Sequence, residues 1–236
     1  MLNILKCLAL AALLGAGASA KDATLPRDGD YLSTAYLAAL DKTRSHNKAG
    51  EVPAPQMVTV SRENGDVTLG AISNWHEGGG VFSIHMSTRA NNEATNTDQT
   101  FTPIDTTHFR YNEGGGAGLQ TFEYVGKVER YIAAKLLVGI YADAHGQRYV
   151  FGADGKAQFP RKTFRYEIYT DVVFENCDLV SDIGVSKPGA WKAYGFAWKG
   201  NTLFLYNADC NVEDQPGCVV DRAHPIAELH KVTPKK

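Results

Sequence analysis

From Gln56 onward the chain alternates apolar and polar residues with a period of two, and short segments rich in glycine or Asn-Gly interrupt the alternation. In residues 81–88, for example, Phe82, Ile84 and Met86 share one face, and polar residues occupy the other. This period is typical of a strand with one buried face, because successive side chains of a strand point to opposite sides. Strands joined by tight turns predict an antiparallel meander, which loses its exposed edges when it closes into a barrel.

We therefore predict an all-β fold with one N-terminal helix, in which an antiparallel up-and-down β-barrel has about 9–10 strands. Tight turns are expected at 63–66, 153–155 and 199–201. Pro103 interrupts the strand expected at 100–111, and its missing N–H favours a bulge or an edge position there. The expected strands cover residues 56–62, 67–75, 81–88, 100–111, 119–125, 136–141, 148–151, 163–171, 191–198 and 202–206, and residues 226–232 could add a last one.

Three consecutive segments separated by turns carry a resemblance to a known family. They are Gly139-Ile140-Tyr141-Ala142-Asp143, Arg148-Tyr149-Val150-Phe151 and Phe164-Arg165-Tyr166. Their order resembles the hairpin ladder of lipocalin-like (calycin) barrels, over about half of the chain that follows residue 20. The resemblance implies a small-molecule pocket inside the barrel and assigns no individual functional residue.

The N-terminus has the pattern of a secretory signal peptide. Lys6 supplies a positive charge, residues 7–14 are apolar, and Ala18-Ser19-Ala20 provides the small residues before a cleavage site. The apolar run is shorter than the roughly 20 residues that span a bilayer. We expect cleavage after Ala20 and a periplasmic or secreted protein. The expected division is a signal peptide at 1–20, a helix and linker at 21–55, and a single barrel domain at 56–236.

The predicted helix follows the signal peptide. Asp30 is placed to cap its N-terminus, and Val52-Pro53-Ala54-Pro55 makes an extended link after it. The apolar face consists of Leu32, Ala35, Tyr36, Ala39 and Leu40. A basic cluster at its end could bind an anion, but we favour solvent-exposed residues that complement the helix dipole. The cluster comprises Lys42, Arg44, His46 and Lys48.

Three cysteines follow the predicted cleavage site, and an oxidising compartment favours one disulfide among them. We predict the pair Cys210 and Cys218, which closes a short loop containing Pro216-Gly217. Pairing of Cys177 with either of the two is the alternative.

A repeated pattern marks the candidate binding residues. Trp75-His76-Glu77-Gly78-Gly79-Gly80 and Tyr111-Asn112-Glu113-Gly114-Gly115-Gly116 share an aromatic residue, a polar residue, a glutamate and three glycines. The glycines could simply permit tight turns. Counting strands instead places both segments at one barrel end, with the loop at 143–146. The predicted ligand-binding rim, suited to a cationic or sugar-like ligand, is Trp75, His76, Glu77, Tyr111, Glu113, Asp143 and His145.

The strand at 191–198 leaves the barrel interior undecided. Tyr194, Phe196 and Trp198 alternate with small residues, so either set could point inward. Large residues inside would fill the barrel, whereas small residues would leave a cavity.

The remaining residues narrow the function classes. The 24 basic and 26 acidic residues form no basic block, so we expect no nucleic-acid partner. No HxH or HExxH pair and no Gly-x-Ser-x-Gly turn occurs, so we expect no metal, no cofactor and no catalytic residue. The leading hypothesis is an exported, non-catalytic barrel that binds a small ligand. The alternatives are a protein-interaction or inhibitor module of the cell envelope and, third, a small hydrolase that uses carboxylates such as Glu77 and Glu113.

Overall fold

The computed structural model describes residues 25–63, 66–72, 75, 81–84, 99–114, 118–171, 177–184, 192–210 and 218–233. None of the helices in these ranges is long and apolar enough to cross a membrane. The helices are α1 (Thr34–Thr43), α2 (His46–Ala49) and α3 (Val128–Leu136). The strands are β1 (Gly29–Ser33), β2 (Met57–Glu63), β3 (Asp66–Ile72), β4 (Val81–Ile84), β5 (Thr100–Pro103), β6 (His108–Asn112), β7 (Gln120–Gly126), β8 (Gly139–Ala142), β9 (Arg148–Phe151), β10 (Lys156–Phe159), β11 (Lys162–Tyr169), β12 (Asp178–Asp182), β13 (Ala193–Lys199), β14 (Thr202–Asp209), β15 (Val219–Val220) and β16 (Ala227–Lys231).

Eight strands form a closed antiparallel barrel. Strands β8 to β14 pair in chain order, and β16 closes the ring between β14 and β8. The short β15 adds to β14 outside the ring. The prediction of a mostly β protein with an antiparallel barrel is therefore confirmed, and the architecture is consistent with a lipocalin-like barrel.

Seven further strands form a second, open sheet in the order β4-β3-β2-β1-β7-β6-β5, shaped as a half-barrel. The sequence placed these strands in one meander with the barrel, and it placed residues 29–33 at the start of the helix. Because β1 pairs with both β2 and β7, it is instead the middle strand of the open sheet. Glu63 pairs with Asp66, as the predicted hairpin requires, while its turn residues 64–65 lie outside the described ranges. The division into domains stays a prediction.

The interruption at Pro103 has a simple structural meaning. Pro103 is the last residue of β5, and β5 is an edge strand of the open sheet. Of the two expectations, a bulge or an edge position, the structure has the edge position. The single strand expected at 100–111 is thus two strands, β5 and β6, joined through 104–107.

Aromatic side chains fill the barrel. The rings of Phe159 on β10 and Tyr194 on β13 lie 5.3 Å apart, although these strands are not neighbours in the sheet. Tyr141 and Trp198, also on strands that are not neighbours, lie 6.2 Å apart. Such contacts must cross the interior, so the large residues of β13 point inward. The pocket that the lipocalin resemblance implies is therefore occupied by side chains at this level of the barrel.

The three helices cover one end of the barrel. The indole N–H of Trp198 donates to the Leu136 carbonyl at the end of α3, at 2.9 Å. Arg44, at the end of α1, donates to the carbonyl of Gly200 in the β13–β14 turn at 3.1 Å. Apolar residues of α1 and α3, such as Leu40 and Ile132, belong to the same core cluster as the barrel interior. Burial of these faces joins the helices to the barrel.

Helix α1 begins later than the sequence suggested, and Asp30 does not cap it. Ser33 is the N-cap, and its hydroxyl accepts from the Tyr36 N–H at 3.1 Å. Asp30 lies in β1, where its carboxylate accepts from the Thr59 hydroxyl at 2.9 Å and from the Val128 N–H at 3.1 Å. Since α3 has no side-chain cap from its own Lys127, Asp30 caps that helix instead.

The predicted disulfide between Cys210 and Cys218 is confirmed. The third cysteine, Cys177, is a buried thiol that packs with them in a separate apolar cluster on the barrel wall. Gly195 allows this packing, because a Cβ there would lie 2.6 Å from Val220 Cγ1 and 2.9 Å from Cys177 Sγ.

The double role of Asp30 can be tested by substitution. We expect Asp30→Ala to lower the free energy of unfolding by about 2 kcal/mol, because it removes a helix cap and a cross-strand hydrogen bond. Urea denaturation measures the change. The control is Asp28→Ala, which removes an exposed carboxylate paired with Arg62 and should cost less than about 1 kcal/mol. Equal losses in the two variants would contradict the capping role.

Candidate functional site

One end of the open sheet collects residues from four strands. Because neighbouring strands are antiparallel, β3 and β6 end where β2 and β7 begin. Gln56 directly precedes β2, Trp75 follows β3, Tyr111 is near the end of β6, and Gln120 opens β7. The two glycine-rich segments follow β3 and β6, so the described strands that flank them meet at one sheet end. The sequence expected one barrel end, and residues 76–80 and 115–117 lie outside the described ranges.

These four residues share an unusual property. Each has a buried polar side-chain atom without a hydrogen-bond partner among the described residues: Gln56 Oε1, Trp75 Nε1, Tyr111 Oη and Gln120 Oε1. We call these four residues the polar quartet. Gln56, Trp75 and Tyr111 are 4 %, 8 % and 0 % exposed, so bulk water does not satisfy these groups. A buried polar group without a partner costs about 1–3 kcal/mol, which makes four at one end of a sheet a mark of a site.

The segment 50–56 holds the polar quartet together. Gln56 Nε2 donates to the carbonyls of Gly50 and Val52, at 3.2 and 2.7 Å. Gln120 Nε2 donates to the Ala54 carbonyl at 2.5 Å. These bonds fix both amide groups, so each presents its oxygen as the open acceptor. Trp75 Cδ1 lies close to the same segment, 3.2 Å from the position a Cβ would take at Gly50.

Tyr111 and Gln120 occupy opposed positions on β6 and β7, and the Tyr111 ring packs edge-on against Phe122 at 6.3 Å. Burial, together with the nearby charge of Glu113, raises the pKa of Tyr111 to about 12. The hydroxyl therefore stays protonated and can donate a hydrogen bond, with a carboxylate nearby. Together the quartet offers two acceptors, one donor on indole and one hydroxyl that does both.

The predicted rim residues are divided among different places. Trp75, Tyr111 and Glu113 lie at the end of the open sheet that carries the polar quartet. Trp75 packs in the core cluster of the barrel, whereas Tyr111 packs in that of the sheet. Asp143 and His145 lie in the β8–β9 turn, where Asp143 Oδ1 accepts from the backbone N–H groups of His145 and Gln147. That turn is at the barrel end opposite the helices. His76 and Glu77 lie outside the described residues.

A second polar group lies where α1 and α2 meet the barrel. The Tyr36 hydroxyl donates to His46 Nδ1, and His46 Nε2–H donates to the Thr170 carbonyl at 3.0 Å. The Trp75 ring packs edge-on against His46 at 4.7 Å. Burial lowers the pKa of His46 to about 4, so the imidazole is neutral. Both ring nitrogens are engaged, so His46 cannot act as a general base, and it is not the exposed cation that the sequence suggested.

Asp178 lies beside this group at the start of β12. Its Oδ1 accepts from the Asn47 N–H at 2.8 Å and thereby caps the short helix α2. Burial raises the pKa of Asp178 to about 6, against the opposing effect of its hydrogen bonds. Among the residues that the structure describes, no group of three His, Cys, Asp or Glu is arranged to hold a metal ion.

Comparison of the chain with models of known protein families found no match, and comparisons with curated proteins and with solved structures found none either. Any functional assignment therefore has to come from the geometry of the site itself.

The unsatisfied hydroxyl of Tyr111 gives a test with an unusual sign. We expect Tyr111→Phe to leave the stability of the ligand-free protein unchanged or to raise it by about 1 kcal/mol, because it removes a buried hydroxyl that has no partner in the described part of the chain. The matched control is Tyr141→Phe, whose equally buried hydroxyl donates to the Leu137 carbonyl at 2.8 Å, and which should lose about 1 kcal/mol. Thermal and urea unfolding measure both. A loss in Tyr111→Phe as large as in the control would contradict the assignment.

His46 and Asp178 give a second test, because their shifts oppose each other. Because the pKa of His46 is lower in the folded protein, His46 contributes stability at pH values above 6.5, its pKa in the unfolded chain. This contribution is lost as the pH falls towards 4. Because the pKa of Asp178 is higher in the folded protein, Asp178 contributes stability at pH values below 3.8, its pKa in the unfolded chain. This contribution is lost as the pH rises through 6.

When the pH is lowered from 7.5 to 5, the free energy of unfolding of Asp178→Asn should therefore fall by about 1–2 kcal/mol relative to that of the wild type. That of His46→Gln should rise by about 2 kcal/mol relative to that of the wild type. Urea unfolding at both pH values measures these differences, and groups common to all three proteins cancel. Parallel pH profiles for the three proteins would show that neither side chain titrates with a shifted pKa.

Proposed function

We propose that the protein is an exported, non-catalytic binding protein that takes a small polar ligand at the polar quartet. The observation that carries the proposal is the four buried polar atoms, at one end of the open sheet, that have no partner among the described residues. A ligand that supplies those partners would be bound by hydrogen bonds whose protein side is already desolvated and fixed.

The chemistry of the quartet favours a ligand rich in hydroxyl groups. A hydroxyl both donates and accepts, so it can match the two amide oxygens of Gln56 and Gln120 and the indole N–H of Trp75. Glu113 adds a carboxylate near Tyr111, which also suits a cationic group. A sugar-like or cationic ligand thus agrees with the expectation from the glycine-rich segments.

The proposed site differs from that of a lipocalin-like barrel. The aromatic residues inside the barrel occupy the space in which such a barrel would hold its ligand. The disulfide between Cys210 and Cys218 supports export, because such bonds persist in oxidising compartments.

A protein-interaction module is the second candidate, and the filled barrel favours it over a hollow ligand carrier. In that case the quartet would receive polar groups of a partner protein rather than a small molecule.

Native mass spectrometry of the exported protein tests the proposal, together with thermal shifts for a panel of monosaccharides and choline. We expect a small-molecule adduct or a stabilising panel member, and weaker binding by about tenfold in Tyr111→Phe. Tyr141→Phe is the control and should bind normally. A protein adduct would favour the interaction module instead. Ligand binding that is equal in both variants would place the site elsewhere and reject the proposal. The intact mass of the same sample should correspond to a chain beginning at Lys21.

A further inference from the structure

A cleft of about 400 Å³ lies where the end of α1 and the helix α2 meet β12 and β13. We call it the junction cleft. Part of its lining comes from residues between 43 and 51, and another part from residues 196–199 of β13. Its volume is in the range of sites for small molecules. The charged residues that line it are Arg44, Lys48, Glu51, Asp178, Lys199 and Arg222.

Three of the four cations form no ion pair with a carboxylate of the described residues. Within the described ranges, Arg44, Lys48 and Lys199 form no ion pair with an Asp or Glu. Two lysines elsewhere do have such partners: Lys135 pairs with Asp41, and Lys156 pairs with Asp154. Like charges gathered around one concave surface raise the local potential and attract anions, even on a protein whose formal net charge is −2.

The two acids of the cleft offset its positive charge only in part, since the charge of Lys48 acts on Asp178. Asp178 is buried, and its carboxylate accepts the N–H of Asn47 in α2. Glu51 is exposed and is the other carboxylate among the lining residues. Four cations against two carboxylates leave the described part of the lining positive.

Arg44 is held in place before any ligand arrives. It has φ of 51° and ψ of 39°, the left-handed conformation that favours glycine at the end of a helix. This conformation costs roughly 1–2 kcal/mol for a residue with a Cβ. Its guanidinium lies 3.3 Å from the centre of the Trp198 ring and donates to the Gly200 carbonyl. A charged side chain thus occupies a strained position and is fixed at the wall of a cleft, which points to a binding role.

We propose that the junction cleft binds a small polyvalent anion, a molecule that carries phosphate or several carboxylate groups. Arg44 supplies a planar, preoriented donor group, and Lys48 and Lys199 supply two further positive charges in the lining. Two of the cleft's four cations, Arg44 and Lys48, belong to the basic cluster that the sequence places at the end of the helix. This inference does not depend on the polar quartet, because no residue is common to the two sites.

Isothermal titration calorimetry of the full chain with pyrophosphate and, separately, with citrate tests the proposal. We expect at least one anion to bind at low ionic strength and to bind more weakly as salt is added. The double variant Lys48→Ala/Lys199→Ala should weaken binding by at least about tenfold. The control Lys135→Ala/Lys156→Ala removes the same charge elsewhere and should stay within about twofold.

Each outcome decides a point. Binding of pyrophosphate alone indicates a phosphate ligand, and binding of citrate alone indicates a polycarboxylate. If neither anion binds the wild type, the proposal is wrong. It is also wrong if both double variants lose affinity equally, because general charge attraction would then account for the binding. Thermal unfolding of each variant checks that all of them are folded.

Discussion

The contact between the helices and one end of the barrel is the interaction on which the rest of the structure depends. Apolar residues of α1 and α3 share a core cluster with the barrel interior, and Arg44 and Trp198 add polar contacts around its edge. Because α1 also continues directly from β1, this contact fixes the open sheet beside the barrel. Burial of apolar surface supplies most of the free energy, and the polar contacts fix the orientation.

The junction cleft lies on this contact, and the polar quartet adjoins it through Trp75. Trp75 belongs to the polar quartet and also packs against His46, whose Nε2–H reaches the barrel loop at Thr170. The junction cleft is formed by the next residues along the same segment, from Thr43 to Glu51. A surface between two packed units commonly provides concave sites, because neither unit fills it completely. One short segment, residues 43–56, therefore takes part in both.

The sequence predicted the β class, the disulfide and the barrel, but not what depends on distant partners. Helix α3 was missed because its N-terminal cap is Asp30, 98 residues away, so no local start signal exists. Strand β12 was missed because four of its five residues are buried, which removes the period-two pattern. The glycine-rich repeats identified Trp75 and Tyr111. Gln56 and Gln120 carry no such signal, since only the structure shows that their oxygens have no partner among the residues it describes.

The way the barrel closes has a consequence for how the chain folds. The ring is complete only when β16, residues 227–231, pairs with both β8 and β14. Helix α1, which packs against the barrel core, is made nearly 200 residues earlier. Contacts between such distant parts of a chain form slowly, and until then two strand edges and an apolar helix face are open to other chains. Pairing of the last strand thus ends the period in which the chain is prone to aggregate. A chain without β16 would be expected to associate with other chains rather than to fold.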